Sequence, residues 1–172
     1  MCDITEFTVG TKYTVTIEAS DANWEDYGPA SASFTARDMS GAGDEVTVTW
    51  DKADLAKAAF NGAEVKMDDV ISFSNTSDYG DNASTVTELR IYKGKDFTIS
   101  ANGATISKIE FTCTANGKTK QGPGCWGAGA PEGYTFEASG KNGTWEGSES
   151  SVKFTATDNQ VRIVSLSVTY KK

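Results

Sequence analysis

The chain has 172 residues, a formal net charge of −8 at pH 7 and no histidine. The length suits one domain over residues 1–172, and the acidic balance excludes nucleic acid and membrane insertion, because a negative surface repels phosphate groups and no apolar run could span a bilayer. Without histidine the commonest general base and zinc ligand are missing, so we expect no enzyme.

Short segments in which apolar and polar residues alternate follow one another along the chain, as is typical of strands with one buried face. They predict about ten strands, bounded by turn residues. These are residues 13–18, 33–36, 46–50, 70–73, 89–92, 97–100, 106–114, 134–137, 152–157 and a last strand in which Val164, Leu166, Val168 and Tyr170 share a face.

One segment predicts a helix, residues 51–62, which Asp51 can cap and Asn61-Gly62 can end. With no repeated βα units, the pattern favours an all-β fold, a two-sheet antiparallel β-sandwich that is jelly-roll-like or, as second choice, immunoglobulin-like, with one short helix. The period of two predicts a core that contains Val15, Val48, Trp50, Ile91, Ile99, Ile109, Phe111, Phe154, Leu166 and Val168.

Two cysteines flank a polar, glycine-containing segment. Cys113 and Cys125 could form a disulfide across this segment, and such a bond persists only in an oxidising compartment. In the alternative interpretation Cys113 is a reduced core residue, because it continues the strand face of Ile109 and Phe111. Cys2 is left over in either case.

Aromatic residues in polar loops are the candidates for binding. Sugar sites in β-sandwiches use flat rings that stack on pyranose faces, beside polar groups that bond the hydroxyls. The candidate rings are Trp24, Tyr27, Tyr79, Trp126 and Tyr134. The alternative is that these rings fold back and cover an end of the sandwich. Trp50 continues the face of Val46 and Val48 and is interpreted as a core residue.

Acidic residues concentrate in turns beside glycine, asparagine or serine. Asp78, Asp81 and Asn82, or Asp38 and Asp44, could hold a structural calcium ion, although turns use the same residues to bond their own backbone. No other cofactor is expected. A glycosidase that uses only carboxylates is formally allowed, since two acids suffice, but the turn positions favour a solvated surface.

The second half of the chain resembles a β-sandwich accessory module of secreted and surface proteins of gut Bacteroidetes. The resemblance is carried by the order of the segments 89–100, 106–112, 143–147 with 152–156, and 160–163, and it extends from about Thr14 onward. It implies a secreted or cell-surface location and a carbohydrate-binding or adhesion role, but no catalytic residue. If the chain is exported, its signal has been removed, because the start at Met1 has no signal-like pattern.

Together these features predict a non-catalytic carbohydrate-binding accessory module. Its partner would be a polysaccharide or glycan, and it would serve a parent enzyme or a cell surface. The alternative is a structural or adhesion protein, or an assembly subunit, which contacts protein partners through its sheets.

Overall fold

A computed structural model describes residues 12–17, 30–35, 44–57, 64–77 and 88–172. The chain divides into two compact units, residues 1–43 and 44–172. In the first unit, strands β1 (Lys12–Ile17) and β2 (Ala30–Thr35) pair antiparallel. The expectation of one domain stays a prediction. Of the helices in these described ranges, none has the length and apolar character needed to cross a membrane.

The second unit carries the remaining described elements, most of them strands. They are β3 (Glu45–Trp50), α1 (Lys52–Lys57), β4 (Val65–Lys66), β5 (Ile71–Asn75), β6 (Leu89–Ile91), β7 (Asp96–Ala101), β8 (Thr105–Cys113), a 3₁₀ segment (Pro123–Gly129), β9 (Tyr134–Phe136), β10 (Asn142–Glu149), β11 (Ser151–Thr155) and β12 (Val161–Lys171). Each predicted strand overlaps one of the observed strands, and β4 and β10 are additional.

These strands form two antiparallel sheets. The six-stranded sheet has the order β3-β12-β8-β10-β9, with β6 also beside β12, and the four-stranded sheet has the order β11-β7-β5-β4. Strands that follow one another in sequence repeatedly lie in opposite sheets, as in jelly-roll sandwiches. The predicted all-β, two-sheet antiparallel sandwich is therefore confirmed.

The core lies between the two sheets. The buried residues of both sheets form a single cluster, in which the Phe111 and Phe154 ring centroids are 5.8 Å apart. Seven of the predicted core residues are buried: Ile91, Ile99, Ile109, Phe111, Phe154, Leu166 and Val168. Val48 and Trp50 are partly buried against the cluster, because β3 is an edge strand. The side chain of Val15 lies outside the described residues.

The alternation in β12 differs from the prediction at one position. A register irregularity lies between Ile163 and Ser165, so Ile163 and Leu166 are both buried whereas Val164 is only partly buried. A β-bulge inserts one residue and shifts the alternation that follows it. The prediction that Val164 shares the buried face is therefore wrong, because a strict period of two cannot account for the bulge.

The predicted cap of the helix is confirmed. The Asp51 Oδ1 atom accepts hydrogen bonds from the backbone N–H groups of Ala53 (2.7 Å) and Asp54 (3.1 Å). The helix is described as far as Lys57. Residues 58–62, the rest of the predicted helix, lie outside the described residues.

One polar contact joins the two sheets at the start of β5. The Asp68 carboxylate accepts hydrogen bonds from the backbone N–H groups of Val70 and Ile71, and its Oδ2 atom accepts one from the Tyr170 hydroxyl on β12 at 3.0 Å. Burial raises the pKa of Asp68, but these donors outweigh it, and the pKa lies below its ordinary value of 3.8. The ionised carboxylate thus stabilises the turn.

Replacing Asp68 with asparagine is expected to lower the free energy of unfolding by about 1 kcal/mol at pH 7, since the site is partly exposed. Because the folded pKa is depressed, this stabilisation is present above pH 3.8 and is lost as the pH falls from there through the folded pKa. Urea unfolding of both proteins from about pH 7 to about pH 2 measures the effect. Equal acid sensitivity of the two proteins would contradict the assignment.

Candidate functional site

Trp126, one of the predicted sugar-binding rings, lies in the core. Its side chain is 0% exposed, its ring lies nearly parallel to Phe97, with centroids 6.4 Å apart, and it contacts Phe154 at 5.0 Å. In the same loop, Gly124 packs so close to the Phe136 ring that a Cβ atom there would overlap it. The prediction that Trp126 stacks on sugar is therefore wrong, and the alternative of a ring that covers the core holds.

Tyr134 also faces the core. Its ring stacks on Phe111 at 5.8 Å, and its hydroxyl donates a hydrogen bond to the Pro123 carbonyl at 2.8 Å. Burial raises the pKa of Tyr134. The tyrosine thus ties β9 to the 3₁₀ segment. Trp24, Tyr27 and Tyr79 lie outside the described residues. Of the five predicted rings, the structure describes Trp126 and Tyr134, and both contact the core residue Phe154.

The predicted disulfide is not present in the structure. Cys113 and Cys125 are both buried and carry free thiols. Cys113 lies on the buried face of β8, as the alternative interpretation expects, and the Cys125 thiol donates to the Thr119 carbonyl at 3.1 Å. Burial raises the pKa of both thiols, so they are protonated at neutral pH. Cys125 therefore forms a hydrogen bond within its own loop and is not bonded to Cys113.

A cleft of about 530 Å³ lies beside the sharp bend between β10 and β11. These two strands do not pair with each other: at the bend the chain leaves the six-stranded sheet and enters the four-stranded one. After this bend of the chain, we call it the hairpin cleft. Its lining includes Glu132, Gly133, Glu146, Gly147, Glu149 and Lys153.

One wall of the hairpin cleft is the turn that precedes β9. The Trp145 indole Nε1 atom donates a hydrogen bond to the Glu132 carbonyl at 2.7 Å, and the Glu146 backbone N–H donates to the Gly133 carbonyl at 3.2 Å. Gly133 has a φ of +84°, which glycine adopts without strain. These two bonds fix the turn against β10, so the wall is preformed.

The other side of the hairpin cleft is shaped by an irregularity in β10. The pairing of β10 with β8 shifts between Glu146 and Glu149, where Gly147 lies directly against the Trp145 ring. A Cβ atom at Gly147 would overlap that ring. The bulge places Glu146 and Glu149 on the lining, and Trp145, which is 2% exposed, supports the backbone from beneath.

The polar groups of the hairpin cleft are mostly hydrogen-bond acceptors. Glu132, Glu146 and Glu149 are all exposed, and Lys153 adds a donor whose Nζ atom lies 3.5 Å from the Asp96 Oδ2 atom. Among the described residues, no three acidic or cysteine side chains come close enough together to hold a metal ion. The proposed calcium ligands lie outside those residues, except for Asp44, which is exposed. The cleft can thus accept hydrogen bonds from hydroxyl groups.

Sequence reasoning missed these glutamates because they lie in different segments and have no local signature. Glu132 belongs to a turn, whereas Glu146 and Glu149 belong to a strand that the alternation did not predict. The segment 143–147 contributes to the resemblance but predicts no binding site. The sequence does contain one indication of this site: Gly143 and Gly147 flank Trp145 and Glu146. Glycines within a strand are typical of a bulge or a close backbone approach.

No protein-family model, curated protein or solved structure matches this chain.

Proposed function

We propose that the protein is a non-catalytic carbohydrate-binding accessory module of a secreted or cell-surface protein, and that the hairpin cleft binds the glycan. The observation that carries the proposal is the preformed cleft of about 530 Å³ with three glutamates on its lining. Its volume lies within the usual range for small-ligand sites. No catalytic residue is assigned.

Carboxylates suit sugars because their oxygens accept hydrogen bonds from neighbouring hydroxyl groups, and bonds to a charged acceptor are stronger than neutral ones. The fixed turn at Gly133 and the bulge at Gly147 hold the backbone in place, so little ordering is needed on binding. Among the described residues, the tryptophan on the lining is Trp145, which is 2% exposed and cannot stack on a sugar. Recognition in the hairpin cleft would therefore rest on hydrogen bonds, and weak binding is expected. Trp24, Tyr27 and Tyr79 remain proposed stacking residues.

The second candidate is a structural or adhesion protein that contacts other proteins through its sheets. The outer surface of β3 and β12 is polar: the hydroxyls of Thr47 and Thr169 lie 2.9 Å apart, and those of Thr49 and Ser167 lie 2.7 Å apart. Stable protein contacts bury an apolar centre. The paired hydroxyls offer no such centre, which favours the glycan proposal over a contact through this face.

The proposal is tested by replacing Glu146 and Glu149 singly with glutamine and measuring retention on insoluble plant and host polysaccharides. Each replacement is expected to weaken binding about tenfold, because it removes one charge-assisted acceptor. Glu137→Gln is the matched control, since Glu137 is also exposed but does not line the cleft. A wild-type protein that binds no polysaccharide, or binding that the two replacements leave unchanged, would refute the proposal.

A further inference from the structure

The outer face of the four-stranded sheet carries a row of polar side chains that starts beside the hairpin cleft. Along β11, β7 and β5 buried residues alternate with more exposed ones, so every second side chain points away from the core. The strand register places Ser151 opposite Ser100, Ser100 opposite Ser72, and Ser72 opposite Lys66. These four residues cross all four strands of the sheet, and we call them the serine row.

The first residue of the serine row belongs to the hairpin cleft. Ser151 lines that cleft, and its hydroxyl oxygen lies 3.0 Å from the hydroxyl oxygen of Ser100 on the neighbouring strand. Neighbouring strands lie about 4.8 Å apart, so the row extends about 14 Å from β11 to β4. The row therefore continues the polar lining of the hairpin cleft across the sheet, over a length greater than that of one sugar ring.

A second cleft, of about 310 Å³, lies at the other end of the serine row. We call it the turn cleft, because the β4–β5 and β7–β8 turns contribute to its lining, together with Lys66, Ser72 and Ser100 of the row. The Asn102 backbone N–H donates a hydrogen bond to the Val70 carbonyl at 2.9 Å, which holds the two turns together. Lys66 and Asn102 are exposed, so their side chains can donate to the oxygens of a sugar.

The properties of this surface suit a glycan better than a protein. The two clefts adjoin, since Ser100 lines the turn cleft and its hydrogen-bond partner Ser151 lines the hairpin cleft. All four side chains of the serine row are polar, whereas a stable protein contact buries an apolar centre. A serine hydroxyl both donates and accepts hydrogen bonds, and every unit of a polysaccharide presents hydroxyls. The turn cleft lies at the lower end of the usual volume range for small-ligand sites.

We propose that the hairpin cleft, the serine row and the turn cleft form one continuous surface that binds a linear polysaccharide over several sugar units. This inference rests on the proposed function, because the hairpin cleft is one part of the surface. One stretch of the glycan would occupy each cleft, and the serine row would bond the hydroxyls between them. Two linked sites bind a chain more tightly than either site alone, because the second binding event is intramolecular. The protein would therefore select long glycan chains over short ones.

The test is isothermal titration of the full chain with the disaccharide and the hexasaccharide of cellulose, of xylan and of mannan. At least one hexasaccharide is expected to bind about tenfold more tightly than its disaccharide, or to bind where the disaccharide does not. Ser100→Leu places a bulky side chain between the clefts and is expected to weaken hexasaccharide binding about tenfold, with little effect on the disaccharide. Lys66→Gln is expected to weaken hexasaccharide binding about threefold, because it removes a charged donor.

Ser167→Leu is the matched control for Ser100→Leu. The Ser167 hydroxyl also pairs across two strands, with Thr49 at 2.7 Å, but it lies on the outer face of the six-stranded sheet. This replacement should leave the binding of both lengths unchanged. Circular dichroism of each variant checks that it is folded, and Lys66→Gln provides the result if Ser100→Leu does not fold.

The inference is overturned if the hexasaccharides bind no more tightly than the disaccharides, or if Ser100→Leu weakens binding no more than Ser167→Leu does. In either case the proposed function still holds if Glu146→Gln or Glu149→Gln weakens the binding of both lengths, so the two proposals can fail separately. If no oligosaccharide binds, or if the two glutamate variants leave the binding of both lengths unchanged, the hairpin cleft is not a glycan site and both proposals fail.

Discussion

Replacing Trp126 with alanine is expected to lower the free energy of unfolding by about 3–5 kcal/mol, because it removes a large buried side chain and leaves a cavity. The ring is 0% exposed and contacts Phe97, Phe111 and Phe154. Chemical denaturation followed by circular dichroism measures the loss. The same replacement at an exposed sugar-stacking ring would cost little stability.

Trp126→Phe is the matched control, because it keeps an aromatic ring in the same place and should cost clearly less than the alanine replacement. Glycan retention by both variants is expected to match that of the wild type at temperatures where they are folded. Near-wild-type stability of Trp126→Ala together with loss of glycan binding would contradict the placement of this ring in the core.

Replacing Glu88 with glutamine is expected to lower the free energy of unfolding by about 3 kcal/mol, because it removes the negative partner of a largely buried ion-pair cluster. Glu88 is 8% exposed, and its Oε1 atom accepts hydrogen bonds from the Arg90 Nε atom at 3.0 Å and the Arg162 Nη1 atom at 3.3 Å. The two arginines are direct partners across β6 and β12. The measurement is chemical denaturation at low and high salt, and added salt should reduce the loss by screening the repulsion.

Glu110→Gln is the matched control for this replacement. Glu110 pairs with Lys108 at 2.8 Å, but the two side chains are 49% and 37% exposed. An exposed pair of this kind contributes little to stability, because water screens the two charges. If the two glutamine variants lose the same stability, Glu88 is not the group that joins β6 to β12.

The fold could be predicted from the sequence because most of the strands, though not β4 and β10, repeat the same local signal. Alternating residues such as Ile109 and Phe111 must share a face in any extended chain, and that face is buried here. The bulge at Val164 could not be predicted, because it depends on how β12 pairs with its neighbours on both sides.

The candidate site could be predicted less well from the sequence than the fold. An aromatic ring in a polar, glycine-rich loop looks the same in sequence whether it faces solvent or the core, and Trp126 faces the core. The hairpin cleft depends on a turn and a bulge that meet only in the folded chain, at Gly133 and Gly147. That Arg90 and Arg162 are partners is likewise known only from the strand register.

The most direct test of carbohydrate binding at the hairpin cleft is a titration of the ¹⁵N-labelled protein with the glycan that it retains best, followed by NMR spectroscopy. The backbone signals of Gly133, Gly147, Ser148 and Ser151, all on the cleft lining, are expected to shift in a saturable way. Signals of the buried Trp126 should not move. Shifts confined to other loops, or no shift with any glycan, would contradict the account.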